Sequence, residues 1–222
     1  MYKALFYKEW IKLKAALFLL IIITLITYLV FYINLKTLIK VQDAYTIWYF
    51  ASVKGAIFYD IVKYLIPFSG FIIGIAQFFP ETMQRKLRLL FHLPIDHNKS
   101  LGFMALIGCF FLFFLILINY FLLIFILKIY FPFVILQSAF ITSLPWFISG
   151  FAAYFGIILV SIEPSIKGRL IYGFHCFFLV LIFFKGTFPN MYEKSIGYYW
   201  LLIFIYIFTI FYPAFRFKRG LD

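Results

Sequence analysis

Residues 101–127 read LGFMALIGCFFLFFLILINYFLLIFIL, an uncharged run that decides the fold. A helix rises about 1.5 Å per residue, so roughly 20 apolar residues cross a hydrocarbon core about 30 Å thick, and this run is longer than that. It is apolar on every face. A barrel strand would alternate apolar with polar residues, and a lone strand leaves its backbone groups unpaired in lipid, whereas a lone helix satisfies its own. The run is therefore a membrane-spanning helix.

Comparable runs lie on both sides of it, at about 15–33, 59–79, 132–160, 170–184 and 198–212, the last two near the short end of the usual window. With 66% hydrophobic residues, 34 Phe and 17 Tyr among 222 positions, no separate soluble domain is called for. The expectation is an all-α polytopic membrane protein in which residues 1–222 form a single transmembrane domain of six helices. The basic start MYKALFYKEWIKLK, followed by an apolar stretch from Ala15, has the outline of a signal peptide. That stretch is too long for an ordinary signal core, and YINLKT offers no small-residue cleavage site, so a retained first span is expected. Cys109 and Cys176 both fall in apolar segments, which indicates neither a disulfide framework nor a thiolate metal site.

Twenty Lys and Arg against eight Asp and Glu give a formal charge of +12. In a soluble chain that excess would point to nucleic acid; here the basic residues gather at span ends, where anionic headgroups account for them. With the N-terminus in the cytoplasm, thirteen basic residues fall inside and seven outside. This favours both termini in the cytoplasm, and a bacterial cytoplasmic membrane is the expected location.

Small residues in SGFIIG (69–74) and WFISGFAAYFG (146–156) mark close helix contacts, and Pro145 should kink or break the fourth span. Deep polar residues are few, chiefly Asn119 and His175, and a lone span histidine is most simply bonded to a neighbouring helix. That poverty argues against an ion-driven carrier, which needs titratable or oxygen-rich groups near the midplane. His92 and His97 flank Asp96, but Pro94 intervenes and the spacing suits no single helical face. No catalytic or metal-binding set is expected, and there is no G-x-x-x-x-G-K-[ST] phosphate loop.

Two polar stretches carry helical rhythm. In residues 1–14, Tyr2, Phe6, Trp10 and Leu13 share a face, Lys3, Lys8, Lys12 and Lys14 lie mostly on others, and Glu9 can pair with Lys12 at i+3. This reads as an interfacial helix, with Phe6, Lys8, Glu9 and Trp10 as its contact residues, lying on the inner surface before the chain turns into the first span. The second is FPETMQRKLRLLFHLPIDHNKSLG (79–102). Pro80 suits the first position of a helix, and Glu81 suits the positive end of its dipole. Met83, Leu87, Leu90 and Phe91 follow at helical spacing with Arg85, Lys86 and Arg88 on another face, and Pro94 stops the helix. A basic amphipathic helix over 80–94 can lie on anionic lipid or dock in a groove of a soluble partner.

The loop motif E-x-x-x-R-K-L-R-L-L-x-x-L-P-I-x-x-x-K, with a basic helix before the first of six spans, resembles the membrane subunit of type-2 ATP-binding-cassette exporters. The matching residues are Glu81, Arg85, Leu87, Leu89, Leu90, Leu93, Pro94, Ile95 and Lys99. The resemblance implies that 80–94 is a coupling helix seated on a separate ATPase subunit, with Glu81, Met83, Arg85, Leu87, Arg88, Leu90, Leu93 and Pro94 as its contact residues. It also implies ATP and magnesium on that partner, none bound by this chain, and a second permease subunit completing a dimer. The outer loop KGTFPNMYEKSIG is shorter than the family's usual pair of exterior re-entrant helices. The competing expectation is a membrane scaffold that recruits a soluble protein without transporting anything.

Overall fold

The computed structural model describes residues 2–83, 97–186 and 188–219. Among these the chain is helical, with no strand. In chain order the helices are α1 (Tyr2–Gln42), α2 (Ala44–Ser52), α3 (Leu65–Met83), α4 (His97–Tyr130), α5 (Phe133–Ile162), α6 (Ile166–Ile182), α7 (Ile196–Thr209) and α8 (Phe211–Arg219). Among the described residues five segments are long and apolar enough to cross a membrane: those of α1, α3, α4 and α5, and 193–213, which contains α7. The apolar α6, 17 residues long, falls just short of that length.

α1 differs from the expectation. No turn separates residues 2–14 from the first span; one helix runs unbroken from Tyr2 to Gln42. The reason is visible in the composition, since neither Gly nor Pro occurs between Tyr2 and Gln42 and nothing interrupts the backbone ladder. Its buried stripe is Glu9, Leu13, Leu17, Leu20, Thr24, Tyr28, Phe31 and Leu35, in steps of four with a three after every second one. Phe6 and Trp10 lie beside that stripe, about two-fifths exposed, with their rings against Phe111 of α4 at 6.3 and 5.5 Å between centroids.

α5 is the centre of the bundle and the most buried of the long helices. α3 lies along it most intimately, and α4, α6 and α7 flank it. The small residues set this packing: a Cβ at Gly70 would overlap the carbonyl oxygen of Gly150, so the two backbones meet where neither has a side chain. Pro145 does not break α5, which runs on through it to Ile162. Around it Thr142 Oγ1 donates to the Ser138 carbonyl at 2.7 Å and Ser149 Oγ to that of Trp146 at 2.5 Å, holding the adjoining turns by short side-chain bonds.

Pro80 likewise sits inside a helix rather than opening one. α3 continues through it to Met83, the last residue described on this side, so Glu81 lies within the helix and not at its start. Local rules favour proline at a helix start, but the tertiary partners of Gln77 and Glu81 outweigh that preference. Residues 84–96, and with them Arg85, Leu87, Arg88, Leu90, Leu93 and Pro94 of the expected coupling helix, lie outside the described residues.

A buried charge cluster as the candidate functional site

Four charged side chains meet where α1 crosses the end of α3. Glu9 is fully buried and Glu81 is 1% exposed. Lys12 Nζ lies 2.6 Å from Glu9 Oε1 and 3.0 Å from Glu81 Oε1, and Lys8 Nζ lies 2.9 Å from the same Glu81 oxygen. The i+3 spacing places Glu9 and Lys12 on adjoining turns of α1, as the sequence indicates. Two acids against two lysines leave no net charge, which is the condition under which such groups are tolerated away from water.

The cluster continues inward as a hydrogen-bonded chain. Lys12 Nζ donates to the Gln77 carbonyl at 3.3 Å, in the turn that carries Pro80. Gln77 Nε2 donates to the Met104 carbonyl of α4 at 2.7 Å, and Tyr154 of α5 donates to Gln77 Oε1 at 2.7 Å. Gly108 makes room, because a Cβ there would overlap both the Tyr154 hydroxyl and the Gln77 amide oxygen. Four helices are joined through a single glutamine. Gln77, which the sequence places merely near a span end, is thus the hub, while Lys12 is the cation shared by both acids.

A second ionic clamp lies at the same end of the bundle. Glu163, fully buried at the end of α5, accepts from Arg216 Nη1 of α8 at 2.7 Å and from Ser165 Oγ at 2.8 Å. Arg169 Nε donates to the Glu163 backbone carbonyl at 2.7 Å. This ties α8 to the α5–α6 turn. Both clamps sit where α1 begins, α3 ends, α4 begins and α5 ends.

The expected site residues therefore divide. Lys8, Glu9 and Glu81 come together, but as an internal lock: Glu81 is turned into the protein and not presented to a partner. Phe6 and Trp10 pack on α4 and leave part of each ring free. Met83 is the last described residue of α3, and the remaining contact residues of the coupling helix, apart from Glu81, lie outside the described residues. His175 makes no hydrogen bond to a neighbouring helix among the described residues; its ring is exposed on α6 and rests against Tyr206 of α7 at 5.6 Å. Asn119 is buried, donates to the Leu115 carbonyl within its own helix at 2.8 Å, and gives its backbone carbonyl to the Tyr28 hydroxyl.

Chemically the cluster is a joint. Both cations already face carboxylates, and among the described residues no group of three or more His, Cys, Asp or Glu is placed to hold a metal ion. What the geometry supplies is rigidity between α1 and the last turn of α3, immediately before residues 84–96. No protein-family model, no curated protein and no solved structure matches this chain.

Proposed function

We propose that the chain is the membrane subunit of an ATP-driven exporter, with six spans and both termini on the cytoplasmic side of a bacterial inner membrane. In this reading residues 84–96 dock on a separate ATPase subunit. ATP and magnesium act there, and the movement of that subunit passes into the spans of a permease dimer carrying an apolar or amphipathic cargo.

The observation that carries the reading is the attachment of Glu81 to Lys8 and Lys12. A push on the segment that follows Met83 in the chain reaches α1 at once through the shared ion pairs, and reaches α4 and α5 through Gln77. Transmission needs such a joint. A scaffold that only recruits a partner has no use for tying the helix before its docking segment to three further helices.

The basic sequence around Arg85 and Arg88 supplies the complementary surface for an acidic groove. Reversing both charges, Arg85→Glu with Arg88→Glu, is expected to abolish co-purification of an ATPase while the chain stays folded in the membrane. Undiminished recruitment by that variant would overturn the docking assignment.

A further inference from the structure

At the end of the bundle opposite the charge cluster, a cavity of about 630 Å³ opens between the turn after α2, the α4–α5 junction and the loop before α7. Its size falls within the range of small-molecule sites, about 300–1,000 Å³. One wall is aromatic: Phe58 and Phe131 stack at 6.1 Å and 17° between planes, and Phe188 also lines the space. The loop side is tied down on α5. The Asn190 backbone N–H donates to Thr142 Oγ1 at 3.0 Å, and Ser138 Oγ donates to Asn190 Oδ1 at 3.2 Å.

Two of the lining residues carry formal charge, and they come from different segments. Lys54, in the turn after α2, holds its ammonium 4.8 Å from the centre of the Phe50 ring. Glu193 comes from the loop before α7. A purely anionic ligand would meet Glu193 unfavourably, a purely cationic one would meet Lys54, and a fully apolar one would use neither. A ligand carrying one charge of each sign satisfies the pair. Val134, three-quarters exposed on α5, also lines the cavity, so an alkyl chain can leave the site over that helix's apolar outer face.

We propose that this cavity binds the zwitterionic headgroup of an amino-phospholipid, its phosphate toward Lys54, its ammonium toward Glu193 and its chains over Val134. The site stands apart from the ATPase reading, because binding requires no partner subunit. It is testable on the purified full chain alone.

The probes are short-chain dihexanoyl phosphatidylethanolamine and dihexanoyl phosphatidylglycerol, added to the detergent-purified protein and read by native mass spectrometry. The zwitterionic lipid is expected to bind about tenfold tighter, the worth of one charge-assisted contact. Lys54→Glu and Glu193→Lys should each weaken it about tenfold, and the double exchange should restore it with the headgroup reversed. Glu193→Lys should also raise binding of the anionic lipid. Both residues are exposed, and the neutral variants Lys54→Gln and Glu193→Gln, checked by circular dichroism, separate lost charge from lost fold. Equal binding of the two lipids, or indifference to both reversals, would reduce the cavity to a place for boundary lipid and overturn the proposal. Glycerophosphoethanolamine competing as well as the lipid would overturn the lipid assignment in favour of a soluble zwitterion.

Discussion

Replacing Lys12 by methionine isolates the joint between α1 and α3, because the two side chains are similar in length and what is lost is the ammonium, with its charge and its bond to the Gln77 carbonyl. Lys12 holds Glu9 at 2.6 Å and Glu81 at 3.0 Å. At an effective dielectric near 20, two unit charges 3 Å apart attract by roughly 5–6 kcal/mol, against several kcal/mol of desolvation for each ion. The net worth of the intact cluster is therefore small. Its half-broken state is costly, because Glu9 is fully buried and Lys12 is the cation it faces among the described salt bridges. Removing one partner of a buried pair costs about 3–5 kcal/mol. The lower end applies here, because the Lys12 side chain keeps 16% of its surface and solvent screens part of the interaction.

A loss of about 3 kcal/mol corresponds to a fall of roughly 6–12 °C in Tm for a chain of this size. The assay is thermal unfolding of the detergent-purified protein followed by circular dichroism. Glu9→Gln in the Lys12→Met background should recover most of the loss, since it removes the stranded charge. Lys8→Met is the internal control: its side chain is 37% exposed, and Glu81 keeps Lys12, so the change should stay within about 1 kcal/mol. A Lys12→Met protein as stable as its parent, or one that Glu9→Gln fails to rescue, would refute the claim that the cluster binds α1 to α3.

Three further outcomes follow from the packing. Gly70→Ala should lose about 1–3 kcal/mol in the same assay, because its new Cβ meets the backbone of Gly150 rather than a movable side chain, whereas Gly102→Ala, with nothing within 4 Å, should be neutral or gain up to about 1 kcal/mol. Glu163→Gln should free α8 from the α5–α6 turn, raising amide hydrogen exchange over 211–219 about tenfold while α5 itself stays protected. Lengthening Gly108 to leucine should disrupt the Gln77–Tyr154 bond and loosen α4 from α3 and α5, seen as faster exchange at both helix ends and lower Tm.

The helices were legible because the signal behind them is nearly one-dimensional. A run such as 101–127 has one physical solution in lipid, and the structure carries it as the larger part of α4. The glycines of SGFIIG also announced the close approach of α3, since small residues in an otherwise bulky span serve little else. The site was only half visible. Glu9 with Lys12 is a local pair, readable at i+3, but Glu81 lies 69 residues from Lys12 and no local rule connects them.

Pro80 shows the cost of relying on local rules alone. Its preference for helix starts is real but small, and α3 runs through it with Glu81 and the Gln77 carbonyl held by buried partners. One clue was available. Glu9 heads the same stripe as Leu13, Leu17 and Leu20, and a carboxylate in line with a buried apolar face draws its neighbour Lys12 inward with it. Gln77 and Tyr154 gave no comparable sign, because polar side chains near span ends are as often solvated as buried.

The most direct test of the exporter reading is to recover the tagged chain from its native membrane in mild detergent and ask whether ATP hydrolysis comes with it. An ATPase subunit that co-purifies with the intact chain, and is lost when Leu87 and Leu90 are changed to glutamate, is the result the account requires. A folded chain that brings down no ATPase would contradict it, and would leave residues 84–96 as a basic stretch at the lipid surface.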